Sequence, residues 1–156
     1  MSEIPIIELR RIEANVIKPI YEEMALEIGH EKAEKILGAA IEKAAIEQGK
    51  SLAKESEGGP SLRAFVSLFE RWKMGGALEV EVLKETDEQF DFNVTRCRYA
   101  ETYKEMGLGK IGHLLSCGRD GSFCKGYDPN IELDRGQTIM QGATHCDFRY
   151  RVKKTS

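Results

Sequence analysis

Apolar residues in the first third of the chain recur at three- to four-residue intervals. From Ile7 to Ile28 they fall at Leu9, Ile12, Val16, Ile20, Met24 and Ile28, which describes one face of an amphipathic helix. Gly29 marks its expected stop. Pro19, inside the pattern, predicts a kink or local loosening, because its ring removes a backbone donor and crowds the preceding turn. A second helix is predicted from about Glu31 to Leu52, with Ala33, Ile36, Leu37, Ala40, Ile41, Ala44 and Gln48 on one face. Both read as core-covering helices. The polar run 54–60 reads as a loop, and Ser61 as the cap of a short helix that gathers Leu62, Phe65, Phe69 and Trp72.

After Gly75 and Gly76 the period changes to 2, which marks extended structure. Leu78, Val80 and Val82 alternate with Glu79 and Glu81; Phe90, Phe92 and Val94 alternate with Asp91, Asn93 and Thr95. The polar connection from Lys84 to Glu88 suits a hairpin. Arg98 to Met106 has helical character and ends at Gly107, and Lys110 to Cys117 reads as another helix before the glycine-broken stretch 117–130. Ile131 to Met140 and His145 to Val152 form the second extended pair, joined by residues 141–144. The prediction is a single α+β domain over residues 1–156: N-terminal helices packed on an antiparallel sheet, with strand-strand-helix-helix-strand-strand order after them.

Composition narrows the function. The chain has 156 residues, 41% hydrophobic, with 23 Lys+Arg against 26 Asp+Glu and a net charge of −3. That length buries a core without staples, and the acidic balance disfavours nucleic acid and polybasic membrane-surface roles. No apolar run is long enough for a membrane span and the first residues lack the order of a secretory signal, so the expectation is a soluble, cytoplasmic protein. In a reducing compartment the four cysteines, Cys97, Cys117, Cys124 and Cys146, are expected as thiols rather than disulfides. All lie in the last 60 residues, with two of the three histidines.

Strand parity places Cys146, Phe148, Tyr150 and Val152 on one face and His145, Asp147, Arg149 and Arg151 on the other. The second face is the candidate functional one, joined there by Asn93, Thr95 and Cys97. Cys97 stands where a strand gives way to a helix, whose unpaired amides would favour thiolate. Glu101, one turn later, is a proton acceptor or a helix-start residue. His113 and Cys117, four apart on a predicted helix, suggest a nucleophile and base or half a metal site, or a histidine packed beside a free thiol. Paired Cys-x-x-Cys ligands are missing, so no cofactor is expected; zinc stays open only if Cys97, His113, Cys117, His145 and Asp147 converge. A G-x-S-x-G elbow, a phosphate loop and a dinucleotide fingerprint are also missing.

The carboxy-terminal half resembles the L-2-amino-thiazoline-4-carboxylic acid hydrolase family. The resemblance is carried by Cys97-Arg-Tyr-Ala-Glu101, Leu115-Ser-Cys-Gly-Arg-Asp120, Gly126-Tyr-Asp-Pro-Asn130, Gln137-Thr-Ile-Met-Gln-Gly142 and His145-Cys-Asp-Phe-Arg-Tyr150. The helices around Met24 to Ala33 look similar too. The order of strands, helices and strands also looks distantly similar to 4-vinyl-reductase-type ligand-binding domains.

What the first resemblance implies is hydrolytic opening of a small cyclic amidine to a carbamoyl-cysteine-type product. The expected catalytic residues are Cys97 or Cys117 as attacking thiolate, with Asp120, His113 or His145 moving protons. The expected substrate-binding residues are Asn93, Glu101, Thr138, Asp147 and Arg149, with Arg149 on the substrate carboxylate. The expected partner is a small-molecule substrate, with homo-oligomerisation left open. The competing expectation is a non-catalytic sensor domain that binds a small molecule or metal.

Overall fold

The computed structural model describes residues 4–153. Helices α1 (Ile6–Ile28), α2 (His30–Glu55) and α3 (Leu62–Lys73) precede the hairpin β1 (Leu78–Glu85) and β2 (Gln89–Cys97). Then come α4 (Arg98–Glu105), a π-helical turn (His113–Cys117), α5 (Arg119–Tyr127), β3 (Ile131–Asp134) and β4 (Cys146–Val152). The four strands form one antiparallel sheet in the order β1-β2-β4-β3. This is the predicted α+β architecture. No helix among the described residues is long and apolar enough to cross a membrane.

One face of the sheet carries Phe90, Phe92, Val94, Cys146, Phe148 and Tyr150, all buried. Against it pack Leu62, Phe65 and Phe69 of α3 and Phe123, Cys124 and Tyr127 of α5. Ser61 caps α3 as expected, accepting a hydrogen bond from the Ala64 amide at 3.1 Å. A second cluster joins α1, α2 and α4 through Ile7, Ala14, Leu37, Ile41, Tyr99 and Tyr103.

Three elements differ from expectation. The glycine-broken stretch, to which the pattern assigns no element, contains the helix α5, whose Gly126 serves a close approach to α2. A Cβ on Gly126 would stand 1.9 Å from the Ile46 carbonyl oxygen, and one on Gly49 would stand 2.3 Å from that of Phe123. The strand expected over Ile131 to Met140 ends at Asp134, and residues Ile139–Gln141 form a 3-10 turn.

The third difference is the rotation of α1. Its buried residues are Ile6, Ile7, Arg10, Ala14 and Tyr21, while Leu9, Ile12, Val16, Ile20 and Ile28 are exposed. The side chosen for burial carries small Ala14 for close packing and two polar residues whose partners are local. Arg10 reaches Glu13 at 3.1 Å, and Tyr21 reaches His30 at 3.1 Å. Helix α1 runs unbroken through Pro19, which is exposed.

The glycine contact supplies a stability test. Alanine favours a helix over glycine by about 1 kcal/mol, but here the added methyl would overlap backbone atoms, which cannot swing aside. Gly126→Ala is therefore expected to destabilise by about 3 kcal/mol or more, read as a lower urea midpoint. A midpoint at or above that of the parent would show that α2 and α5 can separate at no cost.

Candidate functional site

A cavity of about 60 Å³ lies between the apolar face of the sheet and the helices. At roughly 10–15 Å³ for a single water, it holds a few waters, and it is far below the ~300–1,000 Å³ of a drug-sized ligand. Its wall is mainly aromatic: Phe65, Phe69, Trp72, Tyr99, Phe123, Phe148 and Tyr150. Into this wall project three thiols, Cys97, Cys117 and Cys146, and the charged residues Arg10, Arg119, Asp120 and Arg135.

Asp120, in the first turn of α5, pairs with Arg135 from the segment after β3, Oδ2 to Nη1 at 2.6 Å. Arg135 also donates to the Cys117 carbonyl at 3.0 Å, and its guanidinium lies 5.0 Å from the centre of the Phe148 ring. The ring face of Phe148 thus adds a favourable contact to the cation. Burial pushes the Asp120 carboxyl above its usual range, and Arg135 pulls the other way. A carboxyl that burial makes easier to protonate is a better proton acceptor than a free carboxylate, which is what acid–base chemistry needs.

Cys97 arrives in the cavity through a bulge. Glu79 pairs with Arg96, but the next β1 residue, Val80, pairs with Val94, so Thr95 is an extra residue in β2. Thr95 and Arg96 are both exposed, and Cys97 turns inward beside Val94 and Leu78. Simple alternation assigned Cys97 to the face of Asn93 and Thr95; one inserted residue reverses it. Cys97 does cap α4, its Sγ accepting from the Ala100 amide at 3.4 Å. That contact favours thiolate, but burial outweighs it and pushes the thiol up to about 11. Cys117 is raised further by burial and by the Asp120 charge. Cys124 and Cys146 are buried thiols, Cys146 accepting from the Ile139 amide at 3.2 Å. All four are free.

The other expected residues lie elsewhere. Helices cover the apolar face of the sheet, not the face that carries Asn93, Asp147 and Arg149. Arg149 spends its guanidinium on the Phe92 and Phe148 carbonyls, at 3.0 and 2.8 Å, and on Asn93 Oδ1 at 3.2 Å. Asp147 accepts from the Gly136 and Gln137 amides, both at 2.9 Å, which fixes the chain leaving β3. His145 meets Thr144 Oγ1 at 3.1 Å and the Gln137 side chain at 3.4 Å. Thr138 is buried but caps the 3-10 turn, accepting from the Gln141 amide at 3.2 Å.

Glu101 pairs with Arg96 at 3.3 Å. It lines an open cleft of about 760 Å³ with His113, Lys104, Lys110 and Met140. Cys97 borders that cleft as well as the cavity. His113 and Cys117 thus face different spaces, although both belong to the π-helical turn, which closes with the Gly118 amide on the His113 carbonyl at 2.6 Å. Among the described residues no three His, Cys, Asp or Glu side chains stand where they could hold a metal ion. The five residues considered as zinc ligands do not converge.

Of the expected catalytic set, then, Cys97, Cys117 and Asp120 share the cavity, and His113 and His145 do not. Sequence reasoning missed Arg135, Arg10 and Arg119. Arg119 stands next to Asp120 within a quoted motif, but no periodicity tied Arg10 or Arg135 to it across the chain.

A family model described as L-2-amino-thiazoline-4-carboxylic acid hydrolase matches residues 9–150. No curated protein matches the chain. Among solved structures, the chain is similar to the phenol-responsive sensory domain of the transcription activator PoxR, a crystal structure with phenol. The identity is 13% over 88% of this chain and 73% of that one, with a TM-score of 0.55. A trafficking protein particle complex subunit 3 from Naegleria fowleri, covalently bound to palmitic acid, gives 14% identity over 92% of this chain and 97% of that one, with a TM-score of 0.48. The likeness to the sensory domain is one of fold.

Two measurements test this geometry. Haloacetamide labelling of Cys97, followed by peptide mass spectrometry, is expected to rise about tenfold per pH unit from pH 8 toward 11, because only thiolate reacts. A plateau below pH 9 would mean that burial does not control this thiol. Asp120→Ala leaves the part-buried Arg135 without its partner and is expected to cost about 1–3 kcal/mol in urea unfolding; a loss under about 0.5 kcal/mol would place the pair among exposed ion pairs.

Proposed function

The chain belongs to the L-2-amino-thiazoline-4-carboxylic acid hydrolase family, and from that premise we propose that it opens a small cyclic amidine by hydrolysis, with Asp120 as the proton-transfer group. L-2-Amino-thiazoline-4-carboxylate or a close heterocyclic relative is the substrate in this reading. The observation that carries it is the part-buried Asp120–Arg135 pair at the wall of a small aromatic cavity.

In the proposed sequence a water oxygen adds to the ring carbon between sulfur and nitrogen. Asp120 takes a proton from that water and returns it to the ring nitrogen, giving a neutral tetrahedral adduct. Asp120 then takes the hydroxyl proton as the carbon–sulfur bond breaks, and passes it to the departing sulfur. A carbamoyl group and a free thiol result, and atoms and protons balance. Arg135 holds Asp120 in place, and the aromatic wall limits competing water. Attack by Cys97 or Cys117 is the covalent version. It must first deprotonate a thiol that burial keeps protonated, so direct water attack is the favoured route.

A second reading is a binding domain without turnover. It is favoured by the aromatic wall and by the fold shared with a phenol-responsive sensory domain. Following thiazoline loss by mass spectrometry separates the two. Hydrolysis is expected to yield a carbamoyl-cysteine-type product, to fall roughly 10²- to 10⁴-fold in Asp120→Asn, and to persist in separate Cys97→Ala and Cys117→Ala variants. Loss of all activity in either cysteine variant would restore the covalent route. Ligand-induced thermal stabilisation with no consumption would establish the binding domain.

A further inference from the structure

The cavity wall holds more positive than negative charge. Arg135 is matched by Asp120. Arg10 and Arg119, only 5% and 9% exposed, share one remaining carboxylate, Glu13, which reaches Arg10 at 3.1 Å and Arg119 at 3.4 Å. Glu13 itself is 41% exposed, so water screens it more than it screens the two guanidinia. Arg119 gives its Nε to the Leu115 carbonyl at 2.6 Å, and Arg10 engages Glu13 through Nη1. Burial and the repulsion of Arg10 both weaken the hold of Arg119 on its proton.

Two guanidinia, buried side by side on one partly solvated carboxylate, leave about one unit of positive charge facing an apolar space. Such a charge is costly unless an anion completes it. We propose that Arg10 and Arg119 form the seat for a single carboxylate, so that the cavity selects small-ring ligands bearing one negative charge. The seat takes over the carboxylate-binding role expected of Arg149, whose guanidinium is committed on the opposite face of the sheet. It rests on the hydrolase reading only for the identity of the ring; the anion preference itself requires no turnover.

The test uses two ring-matched probes that cannot undergo the reaction, thiophene-2-carboxylate and thiophene-2-carboxamide, titrated calorimetrically into the full chain. The carboxylate is expected to bind about 10- to 100-fold more tightly. That preference should collapse in Arg10→Gln and Arg119→Gln, return in part in Arg10→Lys, and survive in Arg149→Gln. Equal affinity for the two probes, or binding of neither, overturns the proposal without any variant, so a misfolded substitution leaves it testable. Retention of the full preference in both glutamine variants also overturns it. A preference for the carboxylate with no thiazoline turnover would leave the seat standing and remove the hydrolase; turnover with no preference would do the reverse.

Discussion

The contact of α2 with α5, backbone against backbone at Gly49 and Gly126, is the constraint on which the site depends. It sets the height at which α5 passes over the sheet. At that height Phe123 and Tyr127 reach the aromatic face, and Arg119 and Asp120, at the start of the helix, point into the space left between them. A helix held one side-chain layer farther out would fill the gap with its own residues. The cavity is thus a product of where two helices have no side chains at all.

Within that cavity one property, low polarity, works on the ionisable groups in opposite directions. It strengthens the Asp120–Arg135 attraction and makes each partner indispensable to the other. It also keeps Cys97 and Cys117 protonated, although Cys97 caps a helix in the way usually associated with activated sulfur. Desolvation here exceeds the contribution of one capping amide. The proposed reaction therefore centres on oxygen rather than sulfur, with the thiols as soft, compact lining beside the rings.

Helices α2 and α3, strands β2 and β4 and the change of period at Gly75–Gly76 were legible because each rests on burial of one regular face; the period also marked α1 as a helix, although the face it marked is not the buried one. The stretch that became α5 was not, since Gly118, Gly121 and Gly126 signal turns locally, and their value lies in a neighbour distant in sequence. The open face of the sheet attracted attention through its His145, Asp147 and Arg149, yet those residues are satisfied by the backbone and by Gln137, Thr144 and Asn93. Polar residues on a strand mark a functional surface only where something covers them. Arg10 was hidden for a related reason: it occupies a buried position of α1 while a more apolar stripe of the same helix faces outward.

The extra residue at Thr95 bears on how relatives of this chain are compared. Which way a sulfur points at the end of β2 is decided by how the residue counts of β1 and β2 match, not by the letters around it. A relative that merely lost Thr95 would keep the thiol inward. One with one more residue in β1 opposite Thr95 would restore plain alternation, keep Cys-Arg-Tyr-Ala-Glu intact and present its thiol on the face of Asn93 and Thr95, away from the ring-lined cavity. Two sequences with the same motif would then differ in the reagents that reach the sulfur and in the ligands the interior admits. A single-position insertion in β1 is accordingly more informative about divergence of activity than substitutions within the motif itself.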